Sequence, residues 1–367
     1  NIVGNSITND NVIRGELLID EGDAYNSLIL NRSLNNLRSR NIFASVKETT
    51  KQGSTPDLKV IEIEIEEKAT GEIAIGAGIG TSGGTLGFNL SENNFMGKGI
   101  VLDTNLNITT NKITGRFSIQ NPNYNYSGNS VTTTIESTSV DRSKEFGYQT
   151  DRSGIFLSTF FEQYEDIYLA PEISVNYESL QTDDKASSAM KKQAGTFFDT
   201  YLSYSIIRDK RDQKFNTTEG NRLLFTQTVP VYSNSPNIVN GLDYSTYYPL
   251  KDSIIASIKF YSRAINSLSA SDDVRLSKRL HIPERRLRGF ERGKIGPTDG
   301  GDYIGGNYAS ALSFNTAFPK LFSGLQNADF SLFLDAGNVW GVDYDKKLDD
   351  ASKIRSAYGL SATWHTV

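Results

Sequence analysis

Short segments of alternating polarity fill the chain from Thr70 onward, and they constrain its fold more than any other feature. About fourteen such segments of about ten residues lie between Gly71 and His365, separated by clusters of Gly, Asn, Asp or Ser. Alternation with period two is typical of strands with one apolar face. It is clearest at the apolar residues Ile254, Ala256, Ile258, Phe260, Tyr308, Leu312, Phe314, Phe330, Leu332 and Leu334. We therefore predict an all-β antiparallel domain over residues 69–367.

Two architectures fit this alternation: a soluble sandwich, or a transmembrane β-barrel whose apolar face meets lipid. Composition favours the barrel. The chain has 18 Tyr and 19 Phe at a mean hydropathy of −0.40, and barrels place such aromatic residues at the membrane interfaces. No apolar run approaches the ~18 residues of a membrane helix, which excludes a helical membrane protein.

Residues 1–68 have a mixed period and predict a small α+β module. Thr8 or Asn9 can cap a first helix over residues 11–18. Asn26 or Ser27 can cap a second helix whose apolar stripe is Leu30, Leu34 and Leu37. A strand beginning at Phe43 and a strand alternating Ile with Glu over residues 61–66 follow. The order is strand, helix, helix, strand, strand, with a sheet edge that could pair with an extended peptide.

A basic loop over residues 285–297 is the main candidate site. The closely spaced cations of this loop suggest that it contacts a partner. Its glycines and apolar residues argue against a loop that is freely solvated. The residues concerned are Leu287, Arg288, Gly289, Phe290, Ile295, Gly296 and Pro297. The surrounding connection, 268–302, has no regular pattern, and the polar segment 181–192 predicts another exposed loop.

Other classes of chemistry find little support. A net charge of −5 and a pI of about 5.3 argue against a nucleic-acid partner. Gly78, Gly80 and Gly83 match G-x-G-x-x-G, but strand texture rather than a helix follows, so no nucleotide cofactor is expected. His281 and His365 lack the spacing of a metal pair; His281 with Glu284 is better interpreted as a surface pair.

The first strand of the barrel region is rich in glycine. It includes Glu72, Ile73, Ile75, Gly76, Gly78 and Gly80. Glycine weakens a strand because it contributes no side-chain packing. Two interpretations stay open: the glycines accommodate crowding or curvature, or they make a weak seam strand that opens as a gate.

Several motifs together resemble the BamA family of outer-membrane assembly factors, within the superfamily that joins POTRA modules to barrels. They lie at residues 12–17, 21–23, 92–99, 287–290, 295–297, 305–307 and 334–340. The resemblance implies a sixteen-stranded barrel, with a loop tucked inside and its arginine held by an acidic residue. It suggests Arg288 with Asp335, which the alternation also places on the polar face. Asn315 stands where the family commonly has a glutamate.

The resemblance also implies a function. The POTRA module is expected in the periplasm, and the barrel in the outer membrane is expected to insert unfolded β-barrel proteins into the lipid bilayer by templating on its first strand. Accessory assembly lipoproteins are implied as partners, and neither a cofactor nor enzymatic activity is expected. A two-partner-type secretion pore is the alternative, and a soluble β-sheet carbohydrate-active enzyme a remote one. We also expect the chain to be a fragment, incomplete at the start of its POTRA module and lacking about the last two strands.

Overall fold

The computed structural model describes residues 1–80, 83–251, 254–269, 273–319, 328–350 and 352–364. His365 lies outside these residues. The strands are β1 (Ile2–Val3), β2 (Phe43–Gln52), β3 (Lys59–Glu67), β4 (Gly71–Gly80), β5 (Gly83–Phe95), β6 (Ile100–Thr109), β7 (Lys112–Asn121), β8 (Ser130–Arg142), β9 (Tyr148–Tyr164), β10 (Ile167–Thr182), β11 (Gly195–Asp209), β12 (Gly220–Ser233), β13 (Asn237–Lys251), β14 (Ile254–Ser267), β15 (Thr298–Asp299), β16 (Asp302–Tyr303), β17 (Tyr308–Phe318), β18 (Ala328–Trp340) and β19 (Arg355–Trp364). The α-helices are α1 (Asp10–Arg14), α2 (Ser27–Ser39), α3 (Ser143–Phe146) and α4 (Ser188–Lys191).

A fourteen-stranded antiparallel sheet dominates the structure and confirms the predicted class. Its strands follow one another in chain order from β4 to β19, with only the small β15–β16 hairpin left out. β4 and β19 therefore stand at the two ends of the strand order. Among the residues that the structure describes, no helix has the length and apolar character needed to cross a membrane.

The chain divides into two compact units, of which Asn1–Thr138 with Gly154–Phe161 is the first. Within it, residues 1–68 form a three-stranded sheet in the order β1-β3-β2. Its core consists of buried residues from both helices and the sheet: Ile13, Leu30, Leu34, Leu37, Ile42, Phe43, Val46, Ile63 and Ile65. Asn26 caps α2, because its side chain accepts hydrogen bonds from the backbone N–H groups of Leu28 and Ile29. The predicted order of elements and the leucine stripe are confirmed.

The first helix is shorter than predicted. It ends at Arg14, and Gly15 is its C-cap residue, whereas the sequence predicted a helix through residue 18. Glycine costs helix stability through backbone entropy, and here its N–H closes the last turn on Asn11. The backbone N–H of Leu18 instead donates to Ser33 Oγ of α2, at 2.8 Å. Glu16 and Leu17 still make turn hydrogen bonds to Ile13 and Arg14, so the departure from the helix is complete at Leu18.

Within the first unit, polar contacts join residues 1–68 to the end of β5 and to two of the strand connections. The Asn9 N–H donates to the Gly97 carbonyl at 2.8 Å, and Asn94 Nδ2 donates to Thr8 Oγ1 at 2.9 Å in a buried contact. Asn123 Nδ2 donates to the Gly15 carbonyl at 2.8 Å. The domain boundary at residues 68 and 69 stays a prediction.

The second unit, Ser139–Ser153 with Glu162–Val367, shows a polarity that is inverted relative to soluble proteins. On β18, Leu332 and Leu334 are each 50% exposed, whereas Asp335 is fully buried. On β17, Phe314 is exposed and Ser313 is buried. Large apolar side chains on the outside and polar ones inside are the pattern of a sheet whose outer face meets lipid. This argues against the soluble alternatives.

The segment 181–192 differs from its prediction as an exposed loop. It contains α4, capped by Ser187, and Met190 is fully buried. Met190 packs in a cluster with Phe146, Leu180, Leu276 and Ile304. The sequence did not reveal this because the apolar partners of Met190 lie on distant segments of the chain.

Glu67 gives the α+β module a testable pH dependence. Its carboxylate accepts backbone hydrogen bonds from Ser6 and Ile7, both at 2.9 Å, and from Thr8 at 2.6 Å. Partial burial alone raises the pKa of Glu67, but these hydrogen bonds outweigh it and lower the pKa from 4.5 to about 2. The stabilisation is therefore complete above pH 4.5, declines as the pH falls and is lost below about 2.

We expect Glu67→Gln to destabilise the segment 6–8 by roughly 1 kcal/mol at neutral pH, because a neutral acceptor makes weaker hydrogen bonds. Hydrogen exchange of the whole chain in detergent, followed by mass spectrometry, measures this directly. Glu64→Gln, on the exposed face of β3, is the matched control and should leave exchange unchanged. Equal exchange in the two variants would contradict the role of Glu67.

Candidate functional site

The arginine loop, residues 273–307, contains the predicted basic motif. It has two short 3-10 helices, Leu276–Lys278 and Glu284–Arg286, and a β-bridge between Leu280 and Gly306. Leu287 and Ile295 are buried in a cluster with residues of β14, β17 and β18, among them Val339. Gly296 has φ +108°, and a Cβ there would lie 2.8 Å from Val339 Cβ, so the close approach requires glycine. The loop is thus packed on the sheet.

The structure brings Arg288 and Asp335 together in a fork. Arg288 Nε donates to Asp335 Oδ2 and Nη2 donates to Oδ1, each at 2.7 Å. The backbone N–H of Arg288 adds a third bond to Asp335, at 3.0 Å. Two parallel charge-assisted bonds fix both position and orientation. The functional role of this pair stays a prediction.

Neighbouring side chains complete the environment of Arg288. Nη2 donates to Ser313 Oγ at 3.0 Å, and Ser313 in turn donates to Asp335 at 2.6 Å. The guanidinium carbon lies 3.8 Å from the centroid of the Phe333 ring, in cation–π contact. Asn315 Oδ1 accepts from Nη1 at 3.4 Å, a long and weak bond. Asn315 therefore touches the arginine but holds it loosely.

The remaining residues of the motif help to fix the conformation of the loop. Gly289 adopts a positive φ of 83°, and Phe290 packs against the buried cluster around Leu287. The Pro297 carbonyl accepts a hydrogen bond from the Ile304 N–H at 3.1 Å, which closes the end of the motif.

Sequence reasoning missed further ion pairs of the arginine loop. Arg275 pairs with Glu178 and Asp199, Arg279 with Asp343, and Arg286 with Asp243. These partners lie far away in sequence and have no motif. A signal was nevertheless present: Val274 and Leu276 flank Arg275, and Leu280 follows Arg279. Apolar residues in these positions are unusual in a solvated loop.

The predicted gate residues lie on β4, at one end of the strand order. Ile73 and Ile75 are largely exposed, and Glu72 is exposed as well. Within the part of the chain that the structure describes, no atom lies within 4 Å of a Cβ built at Gly76 or Gly78, so crowding by these residues does not account for the two glycines. Gly80 ends the strand, opposite Gly83 of β5. Whether β4 acts as a gate stays a prediction.

His281 packs beside the Phe146 ring, with ring centroids 4.9 Å apart. Burial and the nearby Arg142 lower its pKa to about 4, so the ring is neutral at physiological pH. Across the described ranges no cluster of three or more His, Asp or Glu side chains is arranged to hold a metal ion.

The fold is that of a POTRA module followed by a β-barrel of the outer-membrane type. The chain belongs to the Omp85 superfamily: the Omp85 superfamily domain matches residues 94–366, and the POTRA family, described as a surface antigen variable number repeat, matches residues 1–68. This confirms the resemblance on which the sequence interpretation relied.

Curated proteins and solved structures are similar to this chain. The chain is 23% identical to the outer membrane protein assembly factor BamA of Neorickettsia risticii (strain Illinois), over 100% of this chain and 50% of that protein. The crystal structure of BamA from Haemophilus ducreyi lacking POTRA domains 1–3 superposes with a TM-score of 0.86 at 21% identity, covering 100% of this chain and 77% of that one. CdiB from Acinetobacter baumannii gives a TM-score of 0.58 at 13% identity, covering 98% and 66%. The chain spans about half the length of the curated BamA relatives it matches.

The position of Asn315 yields a prediction about the loop anchor. We expect Asn315→Glu to raise the thermal midpoint by about 2–4 °C, because a carboxylate facing Arg288 Nη1 makes a charge-assisted bond where the amide makes a weak one. Circular dichroism of the chain in detergent measures the midpoint. In an Arg288→Ala background the same change should lower it, since the new carboxylate then lacks a cation. A rise in both backgrounds would contradict this explanation.

Proposed function

We propose that this protein assembles outer-membrane β-barrel proteins, with β4 as the strand on which a substrate strand is templated. Family membership and relatives that are named assembly factors support the general role. The observation that carries the mechanism is β4 itself. It stands at one end of the strand order and contains glycines that the surrounding packing does not require.

A weak end strand suits templating for a physical reason. When β4 leaves a neighbouring strand and pairs with a substrate strand, the backbone hydrogen bonds that it loses are replaced by equivalent ones. The free-energy cost of the exchange therefore depends mainly on the side-chain packing that is lost. Gly76 and Gly78 contribute none. Separation of β4 from a neighbour thus costs less than separation of a strand rich in β-branched residues.

Insertion of a substrate barrel, as proposed here, makes or breaks no covalent bond. The free energy comes from the substrate, which buries apolar side chains in lipid and pairs its backbone groups as it closes into a barrel. We therefore assign no enzymatic activity and no cofactor to the protein.

In this proposal the barrel lies in the outer membrane with its exposed apolar face toward lipid, and the POTRA module extends into the periplasm. Unfolded barrel proteins are the substrates, and β2, an edge strand of the module sheet, offers them backbone pairing. Accessory lipoproteins would act as additional partners on the periplasmic side.

The test is an insertion assay in liposomes that contain the complete reading frame to which these residues belong. A urea-unfolded small barrel protein is added, and its protection from protease is followed over time. The double substitution Gly76→Val with Gly78→Val should slow insertion on the order of tenfold, because two β-branched residues strengthen pairing of β4. Gly115→Val on the interior strand β7, where a Cβ also meets open space, is the matched control.

Two results would count against the proposal. If the parent protein gives no acceleration over empty liposomes, the assembly role fails and the secretion-pore alternative gains weight. If assembly proceeds but Gly115→Val slows it as much as the β4 variant, the role of β4 fails while the assembly role survives.

A further inference from the structure

A second cationic anchor of the arginine loop lies on strands other than those that hold Arg288. Arg275 Nη1 lies 3.4 Å from Glu178 Oε2 of β10, and Nη2 donates to Asp199 Oδ2 of β11. The guanidinium carbon is also 4.1 Å from the centroid of the Phe197 ring. One side chain of the loop thus engages two carboxylates and an aromatic face.

Burial distinguishes this anchor from that of Arg288. The side chains of Arg275, Glu178 and Asp199 are 2%, 4% and 1% exposed, so all three are buried; in the other anchor Asp335 is equally buried, but Arg288 is 27% exposed. Loss of the cation leaves a buried carboxylate uncompensated, and loss of Arg275 does so at two carboxylates whereas loss of Arg288 does so at one. The arrangement on β10 and β11 therefore resists dissociation more strongly.

The backbone around Arg275 is held as well. Its neighbours Val274 and Leu276 are both fully buried. The Val274 N–H donates to Asp343 at 2.7 Å, and the Leu276 N–H donates to Gln193 at 3.0 Å. The guanidinium thus has little freedom to reach water while the loop stays packed.

Other charges face the same carboxylates. Lys278 lies beside Tyr201, with its ammonium 5.1 Å from the ring centroid, and contributes a second positive charge near Glu178 and Asp199. Ser233 Oγ donates to Asp199 at 2.5 Å. These groups offset part of the negative charge but do not replace the fork that Arg275 supplies.

We propose that Arg275 is the main positioning residue of the arginine loop and holds it to β10 and β11 more firmly than Arg288 holds it to β18. The loop is then fastened to β10 and β11 by Arg275 in addition to the pairs of Arg286 with β13 and of Arg288 with β18. The weak contact of Asn315 with Arg288 is tolerated because Arg275 keeps the loop in place. This proposal concerns loop placement, involves no substrate, and is independent of the assembly function.

The chain has no cysteine, so a single Leu287→Cys substitution gives a unique reporter at a site that is 1% exposed. Labelling by a maleimide in detergent proceeds only when the loop leaves the sheet. We expect Arg275→Ala to accelerate labelling by at least about tenfold and Arg288→Ala to accelerate it less, because the first leaves two buried carboxylates without their fork. Arg285→Ala, which removes an exposed cation of the same loop, should change nothing.

A conservative series separates positioning from general damage. Arg275→Lys keeps the charge but not the fork, and should give labelling between that of the parent and that of Arg275→Ala. Circular dichroism checks that each variant keeps its sheet. If Arg275→Ala fails to fold, the labelling rates of Arg275→Lys and Arg288→Lys are compared instead. The proposal is overturned if the Arg288 variant labels as fast as its Arg275 counterpart or faster, or if Arg275→Ala labels no faster than Arg285→Ala.

Discussion

The inverted polarity of the sheet is the constraint on which the rest of the structure depends. Side chains such as Leu332 and Leu334 are exposed, and Asp335 is buried behind them. A face committed to lipid leaves the charged residues only the opposite face, where those that are buried must find partners within the protein. The ion pairs of Arg288 and Arg275 provide such partners. The loop that supplies the guanidiniums is consequently a structural component of the sheet's polar face.

The sequence predicted the sheet well because its signal is local. Period-two alternation, turn residues and the leucine stripe of α2 each depend on neighbours within a few positions, and the structure follows them. The pairing of Arg288 with Asp335 was also foreseen, by a family motif together with the face that alternation assigns to Asp335. This long-range contact could be predicted because Arg288 lies in a family motif and the alternation of β18 places Asp335 on the polar face.

The remaining contacts of the site could not be predicted from the sequence, because their partners are distant in the chain and carry no local signal. Nothing near Arg275 identifies Glu178 or Asp199 as its partners, which lie 97 and 76 residues away. Met190 similarly looked like part of a polar loop, because the apolar residues that bury it come from four other segments. Even α1 stopped short of its predicted end, since a tertiary bond from Leu18 to Ser33 competed with helix propensity. Tertiary context, not local preference, decided each of these cases.

The bonds from Thr8 and Asn9 to Asn94 and Gly97 have a mechanical consequence. They join the α+β module to the last residues of β5 and to the connection that follows it, and β4 is paired with β5 along the whole length of β4. A displacement of the module therefore acts on both strands of this hairpin: on β4 through the chain at residues 68–70, and on β5 through these hydrogen bonds.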